Sequence, residues 1–120
     1  MMNTPLPAPI STLLAAVDSL DTDAFLHAFD HDGFVDDWGR TFTGADVIRT
    51  WSDREFIGAN VTLPLTQVTT VDNRTEVAAT VGGDGFNGPS HFVFVIPGDR
   101  VRSIVDHRLE PYCRDSLVPN

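Results

Sequence analysis

The chain is expected to fold as one α+β domain, with helices packed against a curled sheet around a pocket. Three observations predict this. Two short amphipathic stretches open the chain, and β-branched, apolar runs separated by turn residues follow them. Between them, residues 29–51, FDHDGFVDDWGRTFTGADVIRTW, read as helix end, turn, acidic strand, tight hairpin and third helix. The length of 120 residues suits a single core, so the domain is taken as 1–120.

Residues 1–8 read as a proline-rich, extended arm (Pro5, Pro7), and Pro9 is expected to open the first helix. In that helix Ile10, Leu13, Leu14, Val17 and Leu20 fall on one face. Asp21 is placed to cap a second helix, with Phe25, Ala28 and Phe29 as its apolar stripe. Asp30 to Gly33 reads as a turn, 34–38 as a strand, Gly39-Arg40 as a hairpin turn and 41–43 as the return. Thr43 with Asp46 suggests a capping box for a third helix carrying Val47, Ile48 and Trp51, stopped at Gly58.

The remainder reads as strands over 61–71, 75–81, 90–96 and 101–109, with a tight turn at Asp72-Asn73 and a glycine loop at 82–89. Pro64 cannot donate to a ladder, which places it at an edge or a bulge. Residues 110–120 read as an irregular tail. In the 90–96 strand both faces are apolar: Phe92, Phe94 and Ile96 on one, Val93 and Val95 on the other. Something is expected to cover each face, and a second copy of the chain is expected to pair through the sheet as a homodimer.

The formal net charge is -9, with no lysine. That balance argues against nucleic acid and against an anionic membrane surface, both of which need clustered positive charge. Cys113 is the only cysteine, so no internal disulfide is expected. The first residues lack a basic start and an unbroken apolar run, and no stretch reaches the ~18 apolar residues of a membrane helix. A cytoplasmic protein is the expectation. His31 between Asp30 and Asp32 lacks the ligand set of a strong metal site, so no metal is expected. GGDGFNG lacks the lysine of a phosphate loop.

This order of elements resembles the nuclear transport factor 2-like superfamily, in its SnoaL-like branch, which includes polyketide cyclases and steroid delta-isomerases. The resemblance runs over about residues 10–109. It is carried by Val17-Asp18 with Asp21 between the first helices, by 29–37 leading into the first strand, by Gly44 with Ile48 and Arg49, and by the closing pair of strands. It implies a cystatin-like cone: three N-terminal helices packed on a strongly curved, mostly antiparallel sheet enclosing an apolar pocket, often in a dimer. It also implies site positions. An acid near the end of the first strand is the isomerases' general base, and Asp37 falls there. Their second acid, on the strand before last, is matched by His91, and their pocket aromatic on the third helix by Trp51. Their tyrosine on the first helix is matched by Leu13, which cannot donate a hydrogen bond, so the isomerase site is incomplete.

The residues themselves carry two readings of the acids. Strand side chains alternate, so Asp36 and Asp37 face opposite ways, and Asp37 shares its face with Val35. Facing an apolar pocket, a desolvated carboxylate becomes a better base. On a wet hairpin edge, both acids instead pair with Arg40 or Arg54. His91 shares a face with Val93 and Val95; it is either a proton donor to a ligand carbonyl or a histidine bonded to backbone or water. His107 either enters the pocket mouth or forms a surface or dimer-interface salt bridge. Trp51, Phe56, Val35 and Val93 are the expected apolar wall, and Phe86 either closes over a ligand or tips a hairpin. The expected function is binding of a small apolar molecule, with cofactor-free isomerisation, cyclisation or dehydration by proton transfer from Asp37 as its catalytic form. A non-catalytic ligand-binding module and a dimerisation or accessory domain are the alternatives.

Overall fold

The structure is a computed structural model and describes residues 6–85 and 87–108, the side chains of His107 and Arg108 excepted. The expectations for Phe86, for the side chain of His107, for Cys113 and for the 110–120 tail lie outside the described residues.

The first helix, α1, is Ala8–Asp18, with Pro7 at its N-cap, so the expected arm gives way to helix at Ala8. It buries Ile10, Leu13, Ala16 and Val17. Leu20, expected on the same stripe, is exposed: the helix ends before it, and it takes a φ of 57° in the link. Helix α2, Thr22–His27, starts where Asp21 Oδ1 accepts the Ala24 N–H at 3.1 Å. Its Phe25 is fully buried and meets Phe29 edge-on at 5.4 Å.

Strand β1, Phe29–Asp37, begins five residues earlier than expected. The turn signal at 30–33 is real but becomes an irregularity inside the strand. Phe29 and Phe34 pair with Val101 and Ser103, so the intervening residues bulge out of the ladder. The hairpin to β2, Arg40–Thr43, turns at Trp38-Gly39 rather than Gly39-Arg40, with φ of 55° and 85°. Helix α3, Ala45–Glu55, has Gly44 at its N-cap, and no side chain caps it; the Thr43–Asp46 box does not form. A short 3₁₀ turn, Ile57–Ala59, follows. Gly58 is obligatory there, because a Cβ would fall 1.6 Å from the Asp53 carbonyl oxygen.

Strands β3 (Leu65–Val71), β4 (Arg74–Val81), β5 (Gly88–Val95) and β6 (Val101–Arg108) complete a six-stranded sheet in the order β2-β1-β6-β5-β4-β3. Among the described strands only the β1–β6 pair is parallel. Strand β3 starts after Pro64, at the edge of the sheet, where a missing donor is tolerated. One face of the sheet packs on the helices. Val35, Val77, Phe92, Phe94 and Ile104 belong to one buried cluster with Ile10, Leu13, Val17 and Phe25. The other face carries Glu76, His91, Val93 and Val105, cross-strand neighbours by register. Val93 is only 7% exposed in the single chain, so its burial does not by itself require a second copy. No helix among the described residues is long and apolar enough to cross a membrane.

Candidate functional site

The two adjacent acids divide the work between turn and core. Asp36 Oδ1 accepts the Gly39 N–H at 2.7 Å and closes the hairpin. Asp37, one residue on, points to the helix-covered face and is 4% exposed. Its Oδ2 accepts the Trp51 indole N–H at 3.1 Å and a guanidinium N–H of Arg40 at 2.5 Å. Its Oδ1 is buried with no hydrogen-bond partner among the described residues. Both readings of the sequence therefore meet in one residue: Asp37 is buried and it is paired with Arg40.

Arg40 belongs to a wider network. Its Nη1 and Nη2 also donate to Glu55 Oε2 and Oε1, at 3.1 and 2.6 Å, which ties the β2 start to the end of α3. The guanidinium stands 5.5 Å from the Phe42 ring centroid. Its proton is held more firmly than usual, first by the Glu55 hydrogen bond and then by Asp37, against the opposing effect of desolvation. Phe42, Trp51 and Phe56 form a continuous stack, with centroids 6.0 and 4.9 Å apart. That stack fixes the indole N–H that holds Asp37.

Asp37 stands on the wall of a cavity of about 160 Å³. Trp51, Phe56 and Phe92 give it aromatic sides, and Val61 and Val81 aliphatic ones. Ala59, Gly82 and Gly85 leave room by contributing almost no side chain. The polar lining is Asp37, Ser90 and Asp106, with Arg54 and Glu55 where α3 ends. Register explains part of this set. Asp37 pairs with Asp106, Asp106 with Phe92 and Phe92 with Val77, one row across four strands on one face.

Of the expected wall residues, Trp51 and Phe56 line this cavity. Val35 shares Asp37's face but is packed in the core, 0% exposed and off the cavity wall. His91 is the main correction. It sits one residue from Phe92 in β5 and so points to the opposite face of the sheet, where its Nε2 lies 3.3 Å from Glu76 Oε1. It does not meet Asp37. Val93 shares that outer face and does not line the cavity. His107 pairs in register with His91, whereas its neighbour Asp106 lines the cavity. Sequence reasoning missed Ser90, Glu55 and Asp106. The available signal was period: Ser90 is two residues before Phe92, hence on the same face.

No protein-family model matches the chain, and no curated protein matches it. Solved structures do. A candidate polyketide cyclase from Sinorhizobium meliloti superposes with a TM-score of 0.75 at 23% identity, over 85% of this chain and 95% of its own. A protein with a ketosteroid isomerase-like fold from Catenulispora acidiphila, solved with trimethylamine, gives 0.72 at 24% identity, over 86% of each chain. The fold is nuclear transport factor 2-like. An Anabaena orange carotenoid protein binding canthaxanthin gives 0.76 at 15% identity, over 92% of this chain and 39% of its own. Helices against a mostly antiparallel sheet fit the α+β cone of these folds, including a cystatin-fold protein from Novosphingobium aromaticivorans. At these identities the likeness is one of architecture.

Proposed function

We propose that the cavity binds a small, largely apolar molecule, with Asp37 as its polar anchor. The observation that carries this is the buried, unpartnered Oδ1 of Asp37 on the wall of an aromatic-sided cavity. A buried polar atom left unsatisfied costs about 1–3 kcal/mol, and a ligand O–H or N–H removes that cost. The aromatic and aliphatic walls favour an apolar body. The volume bounds the size: about 150 Å³ holds benzene, whereas drug-sized ligands take roughly 300–1,000 Å³. The cavity of about 160 Å³ matches the benzene-sized class. Neighbours that hold trimethylamine and canthaxanthin support ligand binding as a use of this architecture.

Proton transfer is the catalytic form of the same reading, with Asp37 Oδ1 as base for an isomerisation, cyclisation or dehydration. Geometry supports binding better than a two-residue acid–base mechanism, because His91 stands on the other face of the sheet. Pairing of two copies through that outer face belongs to the proposal too, and sedimentation velocity across a concentration series tests it.

A thermal-shift panel of small aromatic and aliphatic molecules tests the binding. At least one member is expected to raise the Tm in proportion to ln(1 + [L]/Kd), and Asp37→Asn to weaken it about tenfold. A catalyst would instead keep its ligand in that variant and lose turnover. A panel without a single shift would sink the proposal and favour an accessory or dimerisation domain.

A further inference from the structure

The cavity holds a second buried polar atom. Ser90 is 1% exposed, lines the same wall as Asp37, and its Oγ has no hydrogen-bond partner among the described residues. It stands on β5 and Asp37 on β1, with β6 between them. Neighbouring strands lie ~4.8 Å apart, and Ser90 is two residues along β5 from Phe92, which shares Asp37's row, so the two Cα atoms are on the order of 12 Å apart with their side chains on one face. Both residues line the cavity from separate strands, too far apart for their buried atoms to pair with each other.

Their chemistry differs. A carboxylate paired with a guanidinium accepts hydrogen bonds, whereas a serine hydroxyl both donates and accepts. The formal charges on the wall are Asp37, Glu55 and Asp106 against Arg54, with Arg40 offsetting Asp37 from behind. An anionic ligand meets no surplus of positive charge there.

We propose, resting on the ligand-binding reading above, that Asp37 and Ser90 together select a small ring with a hydrogen-bonding group at each end. The group at Asp37 is an O–H or N–H donor. The ligand class is thus a dihydroxy- or amino-hydroxy-substituted ring, and acceptor-only anions such as carboxylates are rejected.

Calorimetric titration with toluene, phenol, hydroquinone and benzoate tests this. Phenol is expected to bind more tightly than toluene, and hydroquinone more tightly than phenol, each step on the order of five- to tenfold. Benzoate gains nothing over toluene. Ser90→Ala abolishes the gap between hydroquinone and phenol and leaves phenol unchanged. It also leaves the Tm of the free protein unchanged or raises it, since it deletes an unpartnered hydroxyl; a serine with a purely structural bond would lower it. Hydroquinone binding no better than toluene, benzoate binding tightest, or a destabilised Ser90→Ala overturns the inference and leaves the binding reading standing. No heat or thermal shift with any of the four, nor with any wider panel member, overturns both.

Discussion

The helix-covered face of the sheet has two ends that differ in filling. At one, Leu13, Val77, Phe94 and Ile104 close on one another around a residual gap of about 10 Å³. At the other, Asp37, Trp51 and Ser90 stand around about 160 Å³. The gap at the packed end is lined by apolar side chains alone, which interdigitate and leave almost no space. The hollow end cannot collapse in the same way. Arg40 and Trp51 hold Asp37 back against the wall, and Ala59, Gly82 and Gly85 bring no bulk to fill the gap. Leu13 belongs to the packed end. The chain thus keeps a cavity where its polar groups are and fills the end where it has none.

The comparison breaks most readily at Leu13. Leu13→Ala is expected to cost about 2–5 kcal/mol by leaving a cavity in the filled end, read as a Tm loss of roughly 10 °C or more. A loss below about 1 kcal/mol in chemical denaturation would mean that this end is not close-packed. The hollow end should answer oppositely. Val81→Leu adds volume that a tight core would resist by about 1–3 kcal/mol. Here it is expected to change stability by less than about 1 kcal/mol while lowering affinity for any cavity ligand. A strongly destabilised variant would show that the hollow closes in solution.

The smallest expected effect lies away from both ends, where Arg102 bridges to Asp30 at 2.9 Å across the β1–β6 bulge. Burial pushes the Asp30 carboxyl up, but the Arg102 hydrogen bond and charge and the Asp32 N–H outweigh it, and the net shift is downward. A carboxyl lowered on folding stabilises the fold above its unfolded value near pH 4 and loses that contribution as pH falls through its lower folded value. Asp30→Asn should therefore lower the Tm only slightly at pH 7, because so wet a pair is screened by solvent. The difference from the parent should shrink as the pH falls below about 4 and vanish once the pH is below the lowered value of the folded carboxyl. A gap that persists there would assign the effect to packing.

Much of the architecture was legible because it depends on local periodicity. The stripe of Ile10, Leu13 and Val17, the Asp21 cap and the alternation that separates Asp36 from Asp37 are properties of neighbours in sequence. The misplaced details share another cause. The 30–33 turn became a bulge because β1 had to follow β6, a strand seventy residues away. The Thr43 cap was unused because the Gly44 backbone already set the entry to α3. His91 was assigned to the cavity from a family position, although its one-residue offset from Phe92 places it on the other face.

Composition and pattern alone determined that this chain forms helices on a sheet, and that of two adjacent acids only one enters the core. Side-chain alternation and helical repeat act over a few residues, so they are written in the sequence. Which partners that acid meets was decided only in three dimensions. Glu55, Ser90 and Asp106 reach the neighbourhood of Asp37 through strand order and register, and those follow from packing the whole chain at once.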